Sequence, residues 1–243
     1  MSTEKQQFLE VSGIQVEVFR KDIKNLHLSV HPPHGKVRVS APLWLDDEAI
    51  RLTIVARLGW IRRQQAGFAQ QERQSEREMV TGESHYVQGH RYRLDVIEHP
   101  GAPAVTIRNN TTLELRVRPN TDRAQREAIL HRWYRRQLRA QLPDMIAHWE
   151  PRLGVQVAAW GIKKMKTRWG TCNIADRRIW LNLELAKKPV ICLEYILVHE
   201  MVHLLERHHN DRFKAHMDHH MPHWRMHRDM LNQAPLAHED WEY

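Results

Sequence analysis

Cysteine is nearly missing from this chain, and so is any apolar run long enough for a membrane. Two cysteines, Cys172 and Cys192, in 243 residues make no disulfide framework and fit a reducing compartment. No stretch of about 18 consecutive apolar residues occurs, so no membrane-spanning helix is expected. The opening MSTEKQQFLEVSG is polar and lacks the apolar core of a secretory signal. Low-complexity tracts and evident repeats are absent as well. Together these absences point to a cytoplasmic protein with material for one large domain or two small ones.

Acidic residues fall short of basic ones, 29 against 37, for a formal net charge of +8. Much of the excess sits in 51-RLTIVARLGWIRRQQ-65 and 123-RAQREAILHRWYRRQLRAQ-141. Arginine interleaved with Trp and Tyr fits nucleic acid, or a DNA-bound protein complex, as a partner. The competing reading is a solvated helix face whose arginine stems cover apolar neighbours. The lack of a recognised nucleic-acid motif favours the latter.

Periodicity divides the chain. Residues 14–21 alternate at period two, and 26–42 hold two short strands about a Pro-Gly turn. A helix is predicted over 46–76, capped by Asp46 or Asp47, with Ile50, Ile54, Leu58 and Ile61 as its apolar stripe. Strands return at 85–99, 104–109 and 112–117, with Asn109-Asn110 as the last turn. A second long helix opens at Thr121 and is expected to end near Trp149, before Pro151. Residues 155–173 hold one or two strands and 178–185 another. An apolar helix follows from Pro189 through Glu206, then a further helix from about Asn210, interrupted near Pro222. The fold class is α+β: a β-rich region with one helix over 1–120, then a metal-binding region over 121–243, with a soft boundary.

The chemistry lies in 196-ILVHEMVHLLERHHNDRF-213. His199 and His203 stand four apart, so one helical turn puts both imidazoles on one face. That spacing suits two ligands to one zinc ion. Glu200 points about 100° round the helix, where it can act as a base beside the metal without ligating it. A water on such a zinc has its pKa brought down to roughly 7. The flanking apolar residues place the triplet on a mostly buried helix, where a carboxylate and two imidazoles need partners. Catalytic zinc sites use three protein ligands plus water. His209 gives H-E-x-x-H-x5-H, with Asn210 and Asp211 suited to the turn or the next cap; His208 competes for the same role. His216, His220, His223 and His227 read as a polar helix face rather than a second metal site, and Phe213, Met217, Met221 and Trp224 as core.

Several separated motifs resemble the YgjP-like metallopeptidases, zincins related to SprT-like proteases. They are 86-YVQGHRYRL-94, 168-RWGTCN-173, 178-RIWLNLEL-185, 198-VHEMVHLLERHHNDRF-213 and 221-MPHW-224. The departures are Thr171 where Ser is common and His208 in place of Asn. The resemblance implies a zincin-like unit whose H-E-x-x-H helix packs on a small sheet. It implies one zinc per chain on His199, His203 and His209, with Glu200 as general base in peptide-bond hydrolysis. Members of the family are often encoded beside type I restriction–modification genes, which hints at a nucleic-acid-linked setting. Arg168, Trp169 and Gly170 are expected beside the metal. Gly170 would allow close backbone approach on an edge strand, and Trp169 would pack under the metal-binding helix. Lys166 or Arg168 would face a developing oxyanion. The alternative function is a nucleic-acid-associated or restriction-modification-associated adaptor with a structural zinc site, acting through the basic helices.

Overall fold

The period-two segments form strands with one face turned inward. β1 (Lys5–Val11), β2 (Ile14–Lys21), β3 (His27–His31) and β4 (Lys36–Pro42) make a sheet in the order β1-β2-β4-β3. Its central pair is parallel and the outer pairs antiparallel. Val16, Val18, Val37 and Val39 are buried with Ile50, Ile54 and Ile61 of the helical segment that follows. The computed structural model describes residues 5–31, 35–70, 77–165 and 168–233; part of the expected Pro-Gly turn falls outside them. The chain divides into two units between Arg73 and Gln74.

The single helix expected over 46–76 is two: α1 (Asp47–Ala56) and α2 (Leu58–Gln70), with 71–76 outside the described residues. Asp46 caps α1 by accepting from the Ala49 amide, and the chain bends at Arg57, φ −106° and ψ 5°. Packing explains the break. α1 lies along one sheet edge, where Arg51 donates to the Glu10 carbonyl (2.9 Å), and α2 along the other, where Gln65 donates to the Gly35 carbonyl (2.8 Å). One straight helix would cover one edge only, and Gly59 lowers the cost of interrupting it.

The second unit opens with β5 (Ser84–Val87), β6 (His90–Glu98), β7 (Ala104–Arg108) and β8 (Thr112–Val117), in the order β5-β6-β8-β7. Asn109 and Asn110 turn the β7–β8 hairpin with φ of 51° and 53°. α3 (Arg123–Leu153) is capped by Asp122 in a capping box with Gln125, and Gly154 closes it at φ 66°. The expected stop before Pro151 does not occur: both Pro143 and Pro151 lie inside the helix. The carbonyls they release, at Arg139 and Ala147, belong to exposed positions where water can satisfy them.

These two stretches are copies of one plan, although no repeat is evident in the sequence by eye. Both sheets pair their strands in the same order, with the same parallel centre, and a helix follows each. Ser12-Gly13 (φ 53°, 77°) and Gln88-Gly89 (φ 50°, 84°) turn the corresponding first hairpins. Asp46 and Asp122 cap the corresponding helices. Trp60-Ile61-Arg62-Arg63-Gln64 then matches Trp133-Tyr134-Arg135-Arg136-Gln137, with Ile61 and Tyr134 both buried.

The remainder of the second unit is β9 (Ala159–Lys163), β10 (Gly170–Asn173) and β11 (Arg178–Asn182), a 3-10 turn at Leu183–Lys187, then α4 (Val190–Val202), α5 (Asp211–His220) and α6 (Trp224–Gln233). The small sheet has the order β10-β11-β9. α4 is buried almost all round and shares one core with β5–β8 and α3, from Met79 to Leu231. The β5–β6 hairpin abuts its start: the Gln88 and Gly89 amides donate to the Ala186 and Lys187 carbonyls. A Cβ on Gly89 would lie 2.8 Å from Pro189. None of the described helices is long and apolar enough to cross a membrane.

Candidate metal centre

α4 ends sooner than the apolar pattern suggests. Its last residue is Val202, and His203 is the C-cap, its amide donating to the His199 and Met201 carbonyls. Tight turns then carry the chain through Leu204 to Glu206. Asn210 caps α5 by accepting from the Phe213 amide at 3.0 Å. This early reversal returns His209 to the face that carries His199 and His203.

The nitrogens of His199, His203 and His209 lie within 4.8 Å of one another. The Nε2 atoms of His199 and His209 are 2.9 Å apart. A tetrahedral centre with Zn–N of ~2.0–2.1 Å separates its nitrogens by ~3.3 Å, so the cluster suits such an ion with small adjustments. Burial, with the neighbouring imidazoles, pushes His199 down to about 3. Burial also lowers His203. Both are therefore neutral near pH 7 and keep a lone pair for a metal. His203 Nδ1–H donates to the Glu206 carbonyl at 3.1 Å, which leaves Nε2 free to ligate. His199 Nδ1 is buried without a hydrogen-bond partner among the described residues. His208 is exposed and outside the cluster.

Phe213 forms the floor. Its ring centroid is 4.9, 4.8 and 4.7 Å from those of His199, His203 and His209. Tyr195, one turn before His199, meets that ring edge-on at 5.9 Å and stacks on Trp224. A core residue by sequence, Phe213 thus also fixes the imidazole rings.

Glu200, on the adjoining face of α4, lies against β10. It is 6% exposed, and burial pushes its carboxyl up to about 8, against which the Arg168 charge acts. A Cβ on Gly170 would lie 2.6 Å from Glu200 Oε1 and 2.7 Å from its Cγ. The glycine is required by the carboxyl group itself. Cys172 is on the same strand; burial, then Glu200, pushes its thiol up to about 11, so it is a neutral thiol near pH 7.

The segment leading into β10 is held by a residue to which the sequence pattern alone assigns no role. Asn182, at the end of β11, is 2% exposed. Its Nδ2 donates to the Met165 and Arg168 carbonyls, each at 2.8 Å. Its Oδ1 accepts from the Met165 and Glu184 amides, and its own amide donates to the Trp169 carbonyl at 2.9 Å. Its place in 178-RIWLNLEL-185, at the end of an apolar strand, was the signal the sequence carried. Asn182→Ala strips several buried partners at once, so a loss of about 3 kcal/mol of stability is expected, read by denaturant unfolding.

Of the other expected site residues, Arg168 is exposed, while Trp169 packs on the core with the Lys188 ammonium 5.6 Å over its ring. Lys166 lies outside the described residues. His216 and His220 stack on one another on the partly solvated side of α5, but His227, expected on a polar face, is buried. Among the described residues, the cluster of His199, His203 and His209 is the one able to hold a metal.

One family model, described as YgjP-like, metallopeptidase domain, matches residues 24–234. No curated protein and no solved structure matches significantly.

Proposed function

Because the chain belongs to the YgjP-like metallopeptidase family, we propose that it is a zinc-dependent peptidase. In this reading His199, His203 and His209 hold the ion, and Glu200 is the general base. The convergence of three imidazoles on one face of α4, with a buried carboxyl on the adjoining face, carries it. Three donors are the number that catalytic zinc sites use, with a fourth position open for water or substrate; structural sites close that position with protein.

A bound zinc ion supplies Lewis acidity and an activated water near neutral pH. The protein does the rest. Glu200 beside a bound cation favours its carboxylate form over the protonated form that burial favours without metal. That carboxylate takes a proton from the attacking water and delivers it to the leaving amine. Gly170 leaves room for Oε1, and Arg168 contributes positive charge where a carbonyl oxygen becomes negative. β10 is the outer strand of its small sheet. An extended peptide can add to that edge by backbone hydrogen bonds, which gives a protein or peptide substrate.

Elemental analysis tests the metal centre. About one zinc per chain is expected in protein purified without chelators, and His209→Ala should lose most of it. Wild-type protein without metal would remove this reading and leave α4 as a structural element.

A further inference from the structure

We propose that the outward face of α3 binds the phosphate backbone of nucleic acid without reading its sequence. Arg132, Arg135, Arg136 and Arg139 fall on one face of the helix at spacings of three and four, over ~10 Å of its axis. Arg132, Arg136 and Arg139 are exposed and Arg135 is half-buried. None of the four has an ion pair or side-chain hydrogen bond among the described residues, whereas Arg108 and Arg116 of the β5–β8 sheet are both engaged with Glu114. The same face continues through Gln125, Ala128 and Pro143 and carries no carboxylate over that length. Of the acidic residues flanking it on α3, Glu127 is turned toward His131 and Lys164, and Asp144 lies about 120° round the helix from Arg132.

The aromatic residues decide what kind of partner fits. Trp133 and Tyr134, which interleave with the arginines in sequence, are 7% and 1% exposed. They belong to the core and present no ring on which a base could stack. The face also lacks an exposed apolar anchor of the kind that carries most protein–protein affinity. What it offers is a row of guanidinium forks, each matched to a phosphate and worth most against a partner with regularly repeated negative charge. The other copy of the fold plan repeats the arrangement: Ile61 is buried while Arg62 and Arg63 are exposed.

The test is fluorescence anisotropy of the full chain with labelled random-sequence duplex and single-stranded DNA, over a range of salt. Peptidase activity plays no part in it. Affinity should fall linearly in a log–log plot against salt, equally for unrelated sequences. The combined variant Arg132→Gln, Arg135→Gln, Arg136→Gln, Arg139→Gln should keep its unfolding midpoint, bind about ten-fold or more weakly at roughly 50 mM salt, and lose about three units of salt slope. If that variant is unstable, Arg132→Gln with Arg136→Gln should show about half the loss of slope. Three results would overturn the proposal. They are no binding at low salt, unchanged binding by folded variants, and equal binding of a poly-glutamate peptide, which would indicate an acidic protein partner.

Discussion

Glu200→Gln is expected to leave the metal in place and cut peptide hydrolysis by about 10²–10⁴-fold, the usual contribution of a positioned acid–base group. The amide has nearly the volume of the carboxyl, so the close fit against Gly170 is kept. It cannot accept and return a proton. Zinc content and turnover measured on the same preparation separate this outcome from loss of the site. Full turnover with zinc retained would rule out Glu200 as the base. The same substitution has a second signature in the metal-free protein. Burial holds the folded-state pKa of Glu200 at about 8, against an ordinary 4.5. Between those values the native chain keeps a proton that the unfolded chain has released, so stability falls as pH rises through that window. His199 acts in the opposite sense, but only between about 3 and its ordinary 6.5. Above pH 6.5 the Glu200 contribution is no longer offset by His199. Thermal unfolding in chelator should therefore show wild type losing midpoint between pH 6.5 and 8.5, and Glu200→Gln losing less.

Gly170→Ala should be nearly as damaging, although it changes one hydrogen to a methyl and touches no proposed ligand. The new Cβ would arrive 2.6 Å from Glu200 Oε1, 2.7 Å from Cγ and 2.9 Å from Cδ. No carbon can remain at those distances, so either the carboxyl group or β10 must shift. Glu200 is buried with little room, and β10 is tied to β11 by the Gly170–Leu181 and Cys172–Ile179 pairs. A displacement of even 1 Å at a reacting group costs about 10²-fold in rate. The expected result is a loss of that order in turnover, with zinc content and the ordered imidazole cluster intact. Unchanged turnover would mean that Glu200 occupies another rotamer in the working enzyme.

These two residues show how far local sequence reaches. H-E-x-x-H on an apolar segment puts two imidazoles on one helical face and the carboxyl on the next, because the helical period is fixed. The period-two strands, the Asn-Asn turn and the Asp46 cap were legible for the same reason: each is decided within a few residues. The family resemblance, with its separated motifs from Tyr86 to Trp224, was legible too. The three helix boundaries that differ, at Arg57, at Pro151 and after Val202, depend on what the helix covers, on which carbonyls meet water and on where the chain turns back. None is a local property.

The sequence by itself determined an α+β chain with a helix that carries two candidate metal ligands and a surplus of arginine. It did so because periodicity, charge and spacing act over one or two turns. Only the tertiary structure decided which atoms meet. It turned α4 back early enough to bring His209 beside His199. It set Gly170 against the Glu200 carboxyl, and hung the segment before β10 on Asn182. It turned Trp133 and Tyr134 inward and left the α3 arginines in water. It also revealed the repeated strand order on which the two copies of the fold plan rest. Each of these depends on contacts between residues far apart in the chain, and those are set by how the core packs as a whole.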